Sequence, residues 1–379
     1  MSTITIPQNM LPADGRFGSG PTKIRREQIL DLTNAADTLL GTSHRQRPVK
    51  QLVESIREGL AEFFSPPAGY EVVLGNGGAS AFWDVVCCSL VNRKAACGVY
   101  GSFTKKMAVS LSSAPFLEEP AVYEGDFGTW RLPELTDGVD AYCWAQNETS
   151  TGVAAPVKRI AGSVDQGALT IIDATSGAGA LPVDLSQTDV YYFSPQKAFG
   201  SEGGLWVAIL SPEAIEHAEA VKENAAVPGS IRWIPPFLSL TSAISNSRKN
   251  QTLNTPAIST LVLMESQIRY LNDNGGLDWA VKRCERSADT VYSWAETSRY
   301  ASPYVVDKEA RSHAVVTVDL IDAVPAAAVL EALRDNGIVD VNGYRALGRN
   351  QLRIGVFPSV DPSDVEALTH CIDYVIEHL

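Results

Sequence analysis

Two charged side chains close two apolar runs in ALTIIDATSGAGALPVDLSQTDVYYFSPQKAFGSEGGLW, residues 168–206. Asp173 ends LTIID, Lys197 follows VYYFSPQ, and the glycines of GSEGG come next. Continuous apolar runs read as strands covered on both faces, and open α/β sheets bind ligands beyond the carboxyl ends of such strands. A lysine held there can bond to a carbonyl carbon, while an acid beside it can face a ring nitrogen. The plainer alternative is an aspartate capping a turn and a surface lysine. The two together, with glycines that let a ligand approach closely, favour a pyridoxal phosphate (PLP) site, in which the acid keeps the ring protonated and electron-accepting.

PLP also needs a cradle for its phosphate. YEVVLGNGGASAFWDVV reads as a strand, a glycine turn at Gly75–Gly78 and a helix from Ala79. Backbone amides and the dipole of a helix N-terminus hold an anion without a basic side chain, and the Ser80 hydroxyl adds a donor. The turn lacks the third glycine of G-x-G-x-x-G, and no G-x-x-x-x-G-K-[ST] occurs, which speaks against dinucleotide and ATP binding. Phe103, in YGSFTKK, is placed to stack on a flat ring or to serve as a core aromatic. In WAQNETSTG, Asn147 and Thr149 lie just past a strand, as ring contacts or as turn formers. Arginines gather at Ser43-His44-Arg45-Gln46-Arg47, at Arg345 and Arg349, and at Arg353, which interrupts an apolar strand. Arginine grips carboxylate or phosphate through paired hydrogen bonds, so an acidic substrate or surface ion pairs would account for them.

These residues need a scaffold. Candidate strands are Glu71–Leu74, Cys97–Tyr100, Val139–Ala145, Leu169–Asp173, Val190–Phe193 and Leu205–Leu210, with helices such as Ala79–Val91 between them. The alternation predicts an α/β fold with a mostly parallel sheet. Beyond residue 250 come two long helices, Pro256–Leu271 and Leu277–Trp294, divided by a glycine stop. Strands at Ala314–Leu320, Ile338–Val341 and Gln351–Phe357 follow, with a helix at Pro325–Arg334. A last helix has Asp361 as N-cap and Pro362 at its first position. We expect a large PLP-binding domain over 16–262 and a small α/β domain over 263–379 joined by the N-terminal 1–15.

Acidic residues number 44 against 31 basic ones, a formal charge of −13, which argues against a nucleic-acid binder. No apolar stretch reaches the roughly 18 residues of a membrane span, and the N-terminus lacks the pattern of a secretory signal. The six cysteines sit in apolar runs with no metal-ligand spacing, so no metal and a cytoplasmic setting are expected.

The set FGSGPTKIR, GTSHRQ, LGNGGAS, NETSTGV, IIDATSGAG, YYFSPQKAFGSEGGLW, NTPAI and RNQLRIGVF resembles, in order and along the whole chain, the phosphoserine aminotransferase family of class-V PLP enzymes. The resemblance implies PLP fold type I and a homodimer with shared active sites. It also implies transfer of an amino group from glutamate to 3-phosphohydroxypyruvate in serine biosynthesis, and in some members action on the phosphorylated hydroxythreonine of pyridoxine biosynthesis. By the same resemblance Lys197 is the Schiff-base lysine and Asp173 faces the ring nitrogen. Phe103 stacks on the ring, and Ala79, Ser80, Thr149 and Gln196 contact the cofactor. Asn254 and Thr255 reach the phosphate across the dimer, His44 and Arg45 hold substrate in the partner's site, Arg353 binds the α-carboxylate, and Arg345 lies near the second anion. Ser80, Phe103 and Tyr344 depart from the Arg, Trp and His that many members carry. An alanine–glyoxylate or serine–pyruvate aminotransferase is the nearest rival, less suited to the arginine clusters. A cysteine desulfurase would want an exposed cysteine loop, and a silent α/β binding protein would leave the lysine structural.

Overall fold

The computed structural model describes residues 4–379, so the first three residues of the segment assigned to the small domain lie outside the described residues. The chain begins with helices α1 (Arg26–Ala35) and α2 (Arg47–Phe64). Then β1 (Glu71–Asn76), α3 (Ala79–Ser89), β2 (Ala95–Val99), α4 (Ser102–Ser113), β3 (Ala121–Glu124) and β4 (Ala141–Ala145) alternate. A small hairpin, β5 (Asn147–Glu148) and β6 (Val153–Ala154), precedes β7 (Leu169–Asp173), β8 (Val190–Phe193) and β9 (Leu205–Leu210). Next are α5 (Pro212–Ala225), α6 (Leu240–Ser247), α7 (Ile258–Asp273) and α8 (Gly276–Thr297). The chain closes with β10 (Ala301–Pro303), β11 (Val315–Leu320), α9 (Ala326–Asp335), β12 (Gln351–Gly355) and α10 (Pro362–Glu377).

Seven strands form one sheet in the order β1-β9-β8-β7-β4-β2-β3, parallel except where β9 runs against β1 and β8. Strands β4, β7, β8 and β9 are buried along their whole length, the reason they read as unbroken apolar runs. On one face α2 presents Val49, Leu52, Val53, Ile56, Leu60 and Phe63 at three- and four-residue steps, beside Leu261, Met264 and Ile268 of α7. The opposite face is covered by α3, α4, α5 and α6 through residues such as Phe82, Met107, Ala218 and Ile244. Both faces being covered, ligands can reach the sheet only at its edges and strand ends.

A second, antiparallel sheet, β10-β11-β12, packs with α8, α9 and α10 over a separate apolar cluster that also contains Ile6 and Phe17. The Asp361 carboxylate caps α10 by accepting from the Ser363 amide at 3.0 Å, with Pro362 in the first turn. One sequence expectation is corrected. Ile338–Val341 is not a strand: Asp340 turns the backbone at φ 65, leaving only isolated bridges Arg16↔Val339 and Asn342↔Leu352. The edge strand β3, alternately half-buried and exposed, has no continuous apolar run to reveal it. Helix α7 runs through residues 262 and 263, and its apolar residues to Leu271 pack on the large sheet; the change of core falls inside α8, between Ala280 and Ala288.

Candidate active site

A cavity of about 390 Å³ opens beyond the carboxyl ends of β4 and β7. Of the residues singled out from the sequence, Ala79, Ser80, Phe103, Asn147, Thr149, Asp173, Gln196 and Lys197 line it. Strand β7 delivers Asp173 as its last residue, and the turn after β8 delivers Lys197, so adjacent parallel strands bring the two charges to one space.

Lys197 is 8% exposed. Its Nζ donates to the Ser19 carbonyl at 2.6 Å, a contact made by the segment that leads out of the small-sheet cluster. Burial first and the Arg353 charge second lower the Lys197 pKa from 10.5 to about 8, against the opposing effect of Asp173. A lysine so placed keeps an appreciable neutral fraction near neutral pH, and the neutral amine is the nucleophile. Gly20, at φ 136, passes so close that a Cβ there would overlap the lysine side chain. Asp173 is held from two sides: Oδ2 accepts from the Trp83 indole N–H at 2.9 Å, and Oδ1 from the Thr175 amide at 2.9 Å.

At the other end of the cavity, Gly77 (φ 122) and Gly78 (φ 96) bend the chain from β1 into α3. The first amides of α3, from Ala79 and Ser80, have no carbonyl one turn earlier to bond, and they meet the cavity. Nothing within 4 Å would meet a Cβ at Gly203 or Gly204, which line the same end. Thr149 Oγ1 and Asn147 Nδ2 both donate to Ser176 Oγ, at 2.7 and 2.8 Å, fixing one wall. Phe103 is half-buried on another wall, its ring centroid 5.7 Å from that of Tyr344.

Several buried polar atoms of the lining have no partner: Asn147 Oδ1, Thr175 Oγ1 and Gln196 Oε1. Buried polar groups are normally hydrogen-bonded, so these mark places a ligand would satisfy. An amine to take an aldehyde, a carboxylate for a ring nitrogen, an aromatic wall and an anion-holding helix end fit PLP.

The remaining expected residues lie outside this lining. Arg353 reaches its rim, where Nη1 donates to the Thr149 carbonyl at 3.1 Å and the guanidinium lies 5.2 Å from the Tyr344 ring. Its Nε is buried without a partner, and burial lowers its pKa. His44, Arg45, Asn254 and Thr255 form a separate group. His44 Nδ1 lies 3.1 Å from Thr255 Oγ1, Arg45 Nη1 donates to Gln251 Oε1 at 3.0 Å, and the Asn254 amide donates to Asn76 Oδ1 at 3.3 Å. His44 Nε2 is buried and unpartnered, and burial, then Arg45, lower the His44 pKa. Arg345 is exposed. Arg349 pairs with Asp319 at 2.5 Å, a surface ion pair.

The sequence motifs contain Trp83, Ser176, the Ser19–Gly20–Pro21 segment and Glu148 without marking any of them as part of the site. Trp83 had a signal, since it follows Ala79 by one helical turn and so shares its face. The others had none in spacing.

Among the described residues no helix is long and apolar enough to cross a membrane. A family model for class-V aminotransferases matches residues 131–368. A phosphoserine aminotransferase of Nocardioides sp. is 53% identical over 376 residues, covering 99% of each chain. Among solved structures, a phosphoserine aminotransferase from Cytophaga hutchinsonii superposes with a TM-score of 0.85 at 23% identity, over 95% of this chain and 99% of that one. A PLP-bound phosphoserine aminotransferase from Trichomonas vaginalis does so with a TM-score of 0.79 at 16% identity, over 95% and 99%.

Proposed function

We infer from its membership of the class-V aminotransferases, the family to which this chain belongs, that it transfers an amino group from glutamate to 3-phosphohydroxypyruvate, giving O-phosphoserine for serine biosynthesis. The observation that carries this reading is one cavity holding Lys197 and Asp173 in a chain 53% identical, end to end, to a phosphoserine aminotransferase.

When bound, PLP supplies an aldehyde that takes up the amino group and a ring that accepts the electrons freed at the substrate's α-carbon. Lys197 holds the aldehyde and carries the α-proton; its depressed pKa of about 8 lets one amine act as base and as acid near neutral pH. Asp173, oriented by Trp83 and Thr175, holds the proton on the ring nitrogen. Ala79, Ser80 and the α3 N-terminus take the phosphate, Phe103 covers the ring face, and Thr149 and Gln196 supply polar contacts at its edge. Arg353 takes the α-carboxylate, for which its unpartnered Nε is free.

The group at His44, Arg45, Asn254 and Thr255 lies outside the cavity of its own chain, which supports a homodimer in which these residues complete the partner's site. Asn254 and Thr255 then reach the cofactor phosphate, His44 and Arg45 the substrate, and Arg345 its second anion. Six thiols, all buried and unpaired, suit a cytoplasmic enzyme. A phosphorylated hydroxythreonine, with the same two anionic ends, is a further substrate, which would add a role in pyridoxine biosynthesis.

Half-reactions test the substrate. O-Phosphoserine should convert the PLP-loaded protein about a hundredfold faster, at equal low concentration, than serine or alanine, as loss of roughly 2.7 kcal/mol of anion recognition requires. Equal rates with alanine would overturn the phosphorylated substrate.

A further inference from the structure

Glu148 is a fully buried acid that the mechanism above does not use. It sits in β5 between Asn147 and Thr149, two residues of the cavity wall. A carboxylate is tolerated in such a place only when its oxygens are satisfied. Here Oε2 accepts from the amides of Phe103 at 3.1 Å and Thr104 at 2.9 Å, with Thr104 Oγ1 at 3.0 Å. Oε1 accepts from the Ser150 amide at 3.1 Å and the Ser150 hydroxyl at 2.7 Å, while that hydroxyl also accepts from the Ser102 amide at 3.0 Å.

The donors come from two pieces of chain that leave the neighbouring strands β2 and β4, and Glu148 ties them together beyond the point where strand pairing ends. One is the first turn of α4, whose free amides and dipole favour an anion and which carries Phe103. The other is the β5–β6 turn, which carries Thr149. Gly101 packs directly against the Glu148 side chain, which a Cβ there would overlap. The turn is also tied to the second sheet, since the Thr149 carbonyl accepts from Arg353 and the Thr151 carbonyl from the Thr317 hydroxyl at 2.7 Å. Thr317 and Arg353 are themselves register partners in β11 and β12.

We propose that Glu148 is a positioning residue, setting the Phe103 wall, the Thr149 wall and the Arg353 guanidinium relative to one another. Cofactor grip and carboxylate grip then depend on one buried side chain that touches neither ligand. This rests on the PLP assignment above.

The test is PLP titration of the full-length protein freed of cofactor, alongside its melting temperature and the steady-state constants of the loaded enzyme. Glu148→Gln keeps the shape but turns an amide N–H₂ toward donors, so one arm must let go. It should raise the Kd for PLP at least tenfold and raise KM for the acidic substrate more than it lowers kcat. Ser150→Ala removes the hydroxyl that donates to Oε1 and accepts from the Ser102 amide, and decides the matter if the first variant does not fold; its expected rise in Kd is about threefold. Asp189→Asn is the control for a merely structural buried acid: Asp189 binds Arg159 at 2.6 and 2.8 Å and the Thr170 amide, at the opposite end of the strands. It should lower the melting temperature and leave the Kd alone. Glu148→Gln or Ser150→Ala melting lower but binding PLP within twofold and 1.5-fold of the parent, respectively, would overturn the proposal. A parent protein that binds no PLP would instead overturn the reading on which it rests.

Discussion

Replacing Lys197 by methionine should make the cofactor-free protein more stable at neutral pH and less stable in strong alkali. In the unfolded chain this lysine keeps its proton up to about pH 10.5, whereas in the folded chain it gives the proton up above about 8. Unfolding between these values therefore takes up a proton, and stability rises with pH across the window. Below pH 8 the burial penalty is fully present, and above 10.5 it is gone. At about 1.36 kcal/mol per pH unit the penalty is roughly 3 kcal/mol. The methionine fills similar volume but leaves the Ser19 carbonyl without its donor, a pH-independent loss of about 1 kcal/mol. The variant should thus lead by about 2 kcal/mol at pH 7 and trail by about 1 kcal/mol near pH 10.5. Urea midpoints of both proteins, measured at one protein concentration from pH 7 to 10.5, give the difference directly, with other alkaline titrations cancelling. A difference that stays constant across that range would refute the depressed lysine, and with it the argument that one amine serves as both base and acid.

Further expectations concern the supports of the site. Trp83→Phe removes the indole donor from Asp173 and should weaken PLP binding about tenfold, read by titration; an unchanged Kd would mean that Asp173 needs no such orientation. Gly20→Ala adds a Cβ against the Lys197 side chain at a positive φ, so PLP loading should fall sharply at saturating cofactor, and wild-type loading would contradict the close approach. Mixing Arg45→Ala with Lys197→Ala chains should restore turnover that neither parent has with phosphorylated substrate; mixed dimers that stay inactive would remove the support for shared sites. Asp361→Ala should lower stability by about 1 kcal/mol in urea through loss of the α10 cap, with no effect on turnover.

Much of the large sheet was legible because burial on both faces leaves unbroken apolar runs with polar or glycine ends. Leu169–Asp173, Val190–Phe193 and Leu205–Leu210 are strands to the residue. The exposed edge β3 escaped for the converse reason, and Ile338–Val341 looked like a strand because a one-residue kink at Asp340 leaves no trace in hydropathy. The same division holds at the cavity. Asp173, Lys197 and the glycines of the α3 entry announce themselves by their place at the ends of apolar runs. Glu148, Ser19 and Ser176 do not, since their partners are distant in sequence: the Lys197 amine reaches Ser19 across 178 positions. The group at His44, Arg45, Asn254 and Thr255 could be collected only by similarity, and the fold brings it together from two segments some 210 residues apart, His44 and Thr255 making the link.

Every role assigned at the cavity depends on Lys197 being the residue that holds the cofactor. Reducing the PLP-loaded protein with borohydride and mapping the product by peptide mass spectrometry tests it most directly. One pyridoxyl phosphate per chain is expected, on the peptide SPQKAFG at Lys197, and none on Lys197→Ala. Label on another lysine, or no label on the wild-type chain, would contradict it.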